Sequence, residues 1–130
     1  MKPVRILIAD DNEAMRQILI RKLSCEYDVI TAVSDGGAAL TEVVRLHPDL
    51  ALLDISMPVL NGIEVARRIR EAGNGVAVIF LTSSTDSDIF QAAKEAGCVG
   101  YVHKPRLWTD LIPAIKLALS GAQFVSPGVG

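Results

Sequence analysis

The chain has no excess of basic residues: 13 Lys and Arg stand against 15 Asp and Glu, for a formal net charge of −2. Without a cationic surplus it cannot neutralise a run of phosphates, so direct nucleic-acid binding is disfavoured and any DNA contact belongs to another domain. Cysteine is scarce as well. Cys25 and Cys98 are far apart and lack metal-ligand spacing, so they read as reduced, structural residues of a cytosolic protein. No apolar run approaches the ~18 residues needed to span a bilayer, and the N-terminus, Lys2-Pro3 before a short apolar stretch, has no signal-peptide cleavage pattern. Repeats and low-complexity tracts are absent too. Charged residues make up 22% against 50% hydrophobic, a balance that argues against disorder. A chain of 130 residues fits a single domain that buries roughly two thirds of its unfolded surface.

What is present is a regular alternation. Short aliphatic runs at 4–9, 28–32, 50–53, 76–81 and 99–102 read as strands. Between them lie helical spacings: Met15, Ile18, Leu19 and Lys22; then Ala39, Leu40, Val43 and Val44; then Ile63, Val65, Ala66 and Ile69. Strands apolar on both faces belong to a parallel sheet covered by helices on each side. The expectation is an α/β sandwich of five βα units. Gly36-Gly37, Pro48, Gly73, Gly75, Gly97 and Gly100 punctuate the boundaries. Pro113 interrupts the last helical pattern, which is accommodated if the regular helix begins near Asp110 and Pro113 falls in its first turn.

Open parallel sheets bind ligands at the carboxyl ends of their strands. Asp10 and Asp11 follow the first run, Asp54 the third, Thr82 the fourth and Lys104 the fifth. Three acids, a hydroxyl and a cation thus face one rim. A pair of carboxylates at ~4 Å costs about 4 kcal/mol at an effective dielectric near 20, so the cluster calls for a compensating hard cation such as Mg²⁺. Asp10 or Asp11 alone reads equally well as a helix N-cap or a solvated loop residue. Asp54 does not, because it emerges from the buried run Ala51-Leu52-Leu53, where an idle charge is costly.

Four stretches carry a family resemblance. They are Ile8-Ala9-Asp10-Asp11, the run from Pro48 through Asp54 to Pro58 with Asn61-Gly62, Leu81-Thr82, and Gly100-Tyr101-Val102-His103-Lys104-Pro105. In this order and spacing, the chain resembles the receiver domain of two-component response regulators from Val4 to about Leu119. The resemblance implies a flavodoxin-like, doubly wound five-stranded parallel sheet of order 2-1-3-4-5 with five helices. It also implies phosphotransfer from a sensor histidine kinase or a histidine phosphotransfer protein, and Mg²⁺ dependence. By matching positions, Asp54 is similar to the phosphoacceptor, Asp11 to a direct metal ligand, and Asp10 to an acid acting largely through water. Ser56 would lend its backbone carbonyl to the metal, Lys104 would pair with phosphoryl oxygens, and Thr82 would hydrogen-bond one of them. Pro105 resembles a proline preceded by a cis bond. Ser83 departs from the small residue usual after the threonine.

Such a domain is a regulatory phosphoacceptor that assists its own phosphotransfer and dephosphorylation. An aspartyl-phosphate hydrolase would need a second Asp two residues after the nucleophile, and Ser56 stands there. A flavodoxin-type cofactor module would need a phosphate-cradling loop where Asp10-Asp11-Asn12-Glu13 stands. A pseudo-receiver, which only binds partners, would have lost an acid or the lysine.

The resemblance assigns output to the fourth helix, fifth strand and fifth helix. Tyr101 is the switch residue there, and Phe90 and Trp108 are expected to be partly exposed aromatics on that face. His103 should point away from the site and His47 is unremarked. Residues 1–121 are expected to form the receiver and 122–130 the start of a linker. The tail resembles that of the nitrate-regulator and LuxR-like class, whose helix-turn-helix output domain follows such a linker. The chain reads as a receiver cut from a longer transcription factor or as a stand-alone protein; DNA would be reached only through that missing domain, and a homodimer formed on phosphorylation is compatible with the same reading. No membrane partner is implied.

Overall fold

The structure is a computed structural model, and it describes residues 3–128. The strands are β1 (Arg5–Ala9), β2 (Asp28–Val33), β3 (Leu50–Asp54), β4 (Ala77–Thr82), β5 (Gly100–His103) and β6 (Phe124–Val125). The helices are α1 (Glu13–Leu23), α2 (Gly36–Leu46), α3 (Gly62–Glu71), α4 (Ser87–Glu95) and α5 (Leu107–Leu119), with a 3₁₀ turn at Lys104–Arg106 before α5. All strand pairs are parallel, in the order 2-1-3-4-5-6. Five strands were expected and six are found. The sixth forms because β5 would otherwise be an open edge, and Phe124 and Val125 pair with Gly100 and Tyr101. Residues 124–125 therefore belong to the sheet, whereas the sequence reads them as linker. The last two residues of the expected tail lie outside the described ones.

Alternation along the strands separates two apolar cores. Leu7, Ala9, Ala51, Leu53, Phe80 and Tyr101 point to one side, against Ala39 and Val43 of α2, Val65 and Ile69 of α3, and Ala93 of α4. Ile6, Ile8, Leu50, Leu52, Ile79, Leu81 and Val102 point to the other, against Leu19 and Leu23 of α1 and Leu111 and Ile115 of α5. β3 is buried along its whole length, which is why its last residue, Asp54, leaves the sheet at the centre of the rim.

Four helices begin on a side-chain cap. Asn12, Asp35, Asn61 and Asp86 accept from Met15, Ala38, Glu64 and Asp88 backbone N–H groups at 2.7–2.9 Å. The exception is α5, whose N-terminus carries no side-chain cap. Its helix starts at Leu107, three residues before the expected Asp110, so Pro113 lies inside it and not in its first turn. The reason is that Leu107 and Leu111 are both buried in the core under β5, and packing extends the helix N-terminally past its favoured proline position. Every peptide bond among the described residues is trans, including that before Pro105. The resemblance implied cis; here Pro105 sits at the start of the 3₁₀ turn, where its fixed φ fits a trans helical entry.

Two glycines shape the loop beneath the rim. A Cβ on Gly62 would lie 2.3 Å from the Asp54 carbonyl oxygen, so only glycine lets α3 start against the end of β3. A Cβ on Gly36 would lie 1.9 Å from the Leu60 carbonyl oxygen, which brings α2 onto the same loop. Between them Val59 has φ of +72°, a conformation that a β-branched residue adopts only under constraint, and it is 79% exposed.

Candidate functional site

The strand ends meet as the alternation requires. Among the described residues, Asp10, Asp11 and Asp54 each offer a carboxylate oxygen within 4.8 Å of the others. Asp10 and Asp54 are buried and Asp11 is exposed. Lys104 reaches between the buried pair, with Nζ 3.0 Å from Asp10 Oδ2 and 3.2 Å from Asp54 Oδ2. Three carboxylates against one ammonium leave a net −2 when all are ionised.

Local structure holds each acid in place. The Asn12 N–H donates to Asp10 Oδ1 at 2.9 Å, and Arg16 Nη1 on α1 donates to the Asp10 carbonyl at 2.8 Å. The Ser56 N–H donates to Asp54 Oδ1 at 3.2 Å. Thr82 is buried, and its hydroxyl oxygen accepts from the Ser84 N–H at 3.0 Å, which folds the loop after β4 over the rim. A cleft of about 420 Å³ opens above these groups, lined by Asp11, Asp54, Ser56, Thr82, Ser83 and Lys104 among others.

Burial pushes the Asp54 carboxyl above its ordinary range and the Asp10 charge adds to this, while Lys104 and the Ser56 amide act the other way. Burial by itself would lower the Lys104 amine, but its contacts to Asp10 and Asp54 outweigh it and leave the amine above its usual value. The site therefore holds a positive charge firmly beside a carboxylate whose negative charge is poorly compensated. Its oxygen-only acids form a hard donor set of the kind that suits Mg²⁺ or a similar cation.

All of the rim residues expected from the sequence converge here: Asp10, Asp11, Asp54, Ser56, Thr82 and Lys104. Tyr101 lies behind them, fully buried, with its hydroxyl unpartnered. Burial raises its pKa. Phe90 is half-buried and meets Tyr101 edge to face. Trp108 is 54% exposed, but it is not on the Phe90 side. It stands across the sheet at the start of α5, with Lys22 Nζ of α1 5.8 Å from its ring centroid, in a groove also lined by Glu26 and Ile112. The expected pair of neighbouring aromatics is thus split, because the rotation of α5 about its axis is set by Leu107 and Leu111 in the core. His103 points out of the site, its Nε2 3.2 Å from the Ser83 carbonyl oxygen.

Sequence reasoning missed Arg16, Arg106, Asp110 and Ser126, all of which touch the framework of the site. Arg106 and Asp110 carried a signal in their i, i+4 spacing; Ser126 carried none.

Residues 6–116 match the family model of the response regulator receiver domain. The chain is 39% identical over 121 residues to the transcriptional regulatory protein PdtaR of Mycobacterium tuberculosis, covering 91% of this chain and 58% of that one. It is 37% identical over 115 residues to the DNA-binding response regulator MtrA of Mycolicibacterium smegmatis, covering 88% and 50%. The chain thus spans little more than half the length of these relatives. Among solved structures it superposes with a TM-score of 0.92 on a LuxR-family two-component response regulator from Aurantimonas sp. SI85-9A1, at 29% identity over 98% of this chain and 93% of the other. A LuxR-family DNA-binding response regulator from Staphylococcus aureus gives a TM-score of 0.85 at 25% identity, over 88% and 98%. No helix among the described residues is long and apolar enough to cross a membrane.

Proposed function

Because this chain belongs to the response regulator receiver domain family, we propose that it is a phosphorylation-dependent switch whose Asp54 accepts the phosphoryl group. The observation that carries the reading is Lys104 bridging Asp10 and Asp54 at 3.0 and 3.2 Å at the end of a buried strand. An Asp54 carboxylate oxygen attacks phosphorus, and the donor's bond to phosphorus breaks with its electron pair leaving on the donor. The donor is a phosphohistidine of a sensor kinase or phosphotransfer protein, or a small acyl phosphate. Lys104 pairs with phosphoryl oxygens, and the Thr82 hydroxyl turns from accepting the Ser84 N–H to donating to one of them.

Mg²⁺ would be held by Asp11 and Asp54, by Asp10 through water, and by the Ser56 carbonyl; the residual −2 of the cluster fits a divalent cation. When bound, it would screen the incoming anion from the carboxylates. The added charge of about −1.5 to −2 draws Thr82 inward, and Tyr101, buried with a free hydroxyl, follows together with Phe90. The α4-β5 side is then the output surface, which acts on transcription through a DNA-binding domain beyond this chain. Return to the resting state is by hydrolysis of the acyl phosphate, assisted by the same groups.

The test is incubation with acetyl phosphate and intact-mass measurement. One phosphoryl group is expected on the wild type with Mg²⁺, none without it, and none on Asp54→Asn. Modification of Asp54→Asn at the wild-type rate would overturn the assignment.

A further inference from the structure

The segment after α5 returns to the back of the site. The Phe124 N–H donates to the Val99 carbonyl at 3.0 Å and the Ser126 N–H to the Tyr101 carbonyl at 2.9 Å. Because β6 is parallel to β5, it carries the chain towards the rim and delivers Ser126 beside His103. There the Ser126 hydroxyl oxygen accepts from the His103 N–H at 3.0 Å and its O–H donates to Asp110 Oδ2 at 2.6 Å. Asp110, in the first turns of α5, also accepts from Arg106 Nε at 2.9 Å and from Arg106 Nη2 at 3.3 Å. Ser126 and Asp110 are 2% and 4% exposed, so the bond between them is shielded from water.

His103 precedes Lys104 directly, and Arg106 follows it by two residues. Asp110 thus reaches the His103 backbone N–H through the Ser126 hydroxyl on one side of the lysine that enters the site, and binds the Arg106 guanidinium directly on the other. Backbone pairing also holds this stretch, with His103 set against Thr82 in the sheet and the Leu107 N–H on the Lys104 carbonyl, and Asp110 and Ser126 add side-chain bonds to it. The 3₁₀ turn Lys104–Arg106 has no side-chain cap, and neither does α5, unlike the other four helices.

We propose that Asp110 and Ser126 are positioning residues for Lys104, so that the C-terminal segment completes the phosphoryl-accepting site from behind. The assignment rests on the phosphoacceptor reading above for its consequence, though not for its geometry. By linkage, an anion that draws Lys104 forward also alters how firmly residues 124–126 are held, which ties whatever follows the domain to the state of Asp54.

The experiment compares the whole chain as wild type, Ser126→Ala, Ser126→Thr, Asp110→Asn, Lys104→Ala and the Ser126→Ala/Lys104→Ala double variant. Phosphorylation rate with acetyl phosphate and Mg²⁺ is read by intact mass, beside Mg²⁺ affinity. Misplacing a charge-pairing group slows such a reaction steeply, so Ser126→Ala and Asp110→Asn are expected to lose about tenfold in rate. Ser126→Thr keeps the hydroxyl and should stay within about twofold, with Mg²⁺ affinity unchanged in all three. In the Lys104→Ala background, Ser126→Ala should have no further effect.

A second arm labels amines in the absence of any phosphodonor, with the modification mapped to Lys104 by peptide mass. Lys104 should react severalfold faster in Ser126→Ala and Asp110→Asn than in the wild type. Unchanged labelling, wild-type rates in both variants, an equal loss in the Lys104→Ala background, or a fall in Mg²⁺ affinity in step with rate would each overturn the positioning role. A wild type that takes no phosphoryl group, while Lys104 labelling still rises in the variants, overturns the phosphoacceptor reading and leaves the positioning role standing.

Discussion

The ring of Phe90 meets that of Tyr101 edge to face, with centroids 5.0 Å apart and planes at 81°. Such a contact suits the positive edge of one ring to the negative face of the other. It also leaves the Tyr101 hydroxyl buried without a partner. In the unphosphorylated protein this hydroxyl is a burden on stability, since a buried donor without a partner loses its hydration.

Tyr101→Phe should therefore stabilise the resting domain, or leave it unchanged within error, with a gain of up to about 1 kcal/mol. Urea unfolding followed by circular dichroism measures this. A loss above about 1 kcal/mol would show that the hydroxyl is hydrogen-bonded in solution.

Asp54 adds a pH dependence of known sign. Burial, with Asp10 adding to it, raises its folded pKa above the unfolded value. The stability linked to this group is then fully present below the ordinary carboxylate pKa and is lost as pH rises through the higher folded value. Asp54→Asn removes the loss, so its melting temperature should exceed the wild type's at pH 7 without metal, and the gap should close towards pH 4. A wild type that melts above Asp54→Asn at pH 7 in chelator would contradict this.

The cluster also sets an order among metal-site variants. Asp11→Ala removes a charged ligand, whereas Ser56→Ala leaves a backbone carbonyl in place, so Mg²⁺ binding should weaken at least tenfold in the first and by no more than about twofold in the second. Lys104→Ala should bind Mg²⁺ at least as well as the wild type while responding less to phosphorylation. Calorimetric titration orders the three.

Val59 combines a φ of +72° with high exposure. Relief of left-handed strain at a β-branched residue outweighs the added chain entropy of glycine, so Val59→Gly should stabilise by about 1 kcal/mol. Thermal denaturation decides it, and a destabilised variant would mean that Val59 makes contacts that offset the strain.

The rim of the site was legible in the sequence. Runs such as Leu50–Leu53 are apolar at every position, which only a doubly covered parallel strand explains, and in such a sheet the residue after each run must face the ligand edge. That rule collects Asp10, Asp54 and Thr82 directly and Lys104 one residue further on, and the turn residues Asn61-Gly62 mark the loop that returns beneath them. These are local signals, with periods of two or of 3.6 residues, and they survive without knowledge of partners.

Other features depended on contacts between distant segments. Residues 124–125 have too short a pattern to signal a strand; they form one because β5 offers an unpaired edge and Asp110 a buried acceptor for the Ser126 that follows. Trp108 faces α1 and not α4 because the core fixes the rotation of α5, and Pro113 lies inside that helix for the same reason. The sequence by itself determined which groups would share the rim, because strand periodicity is local. Only the tertiary structure decided how the C-terminal segment is held behind Lys104, because that depends on an edge pairing and a buried hydrogen bond between residues 16 positions apart.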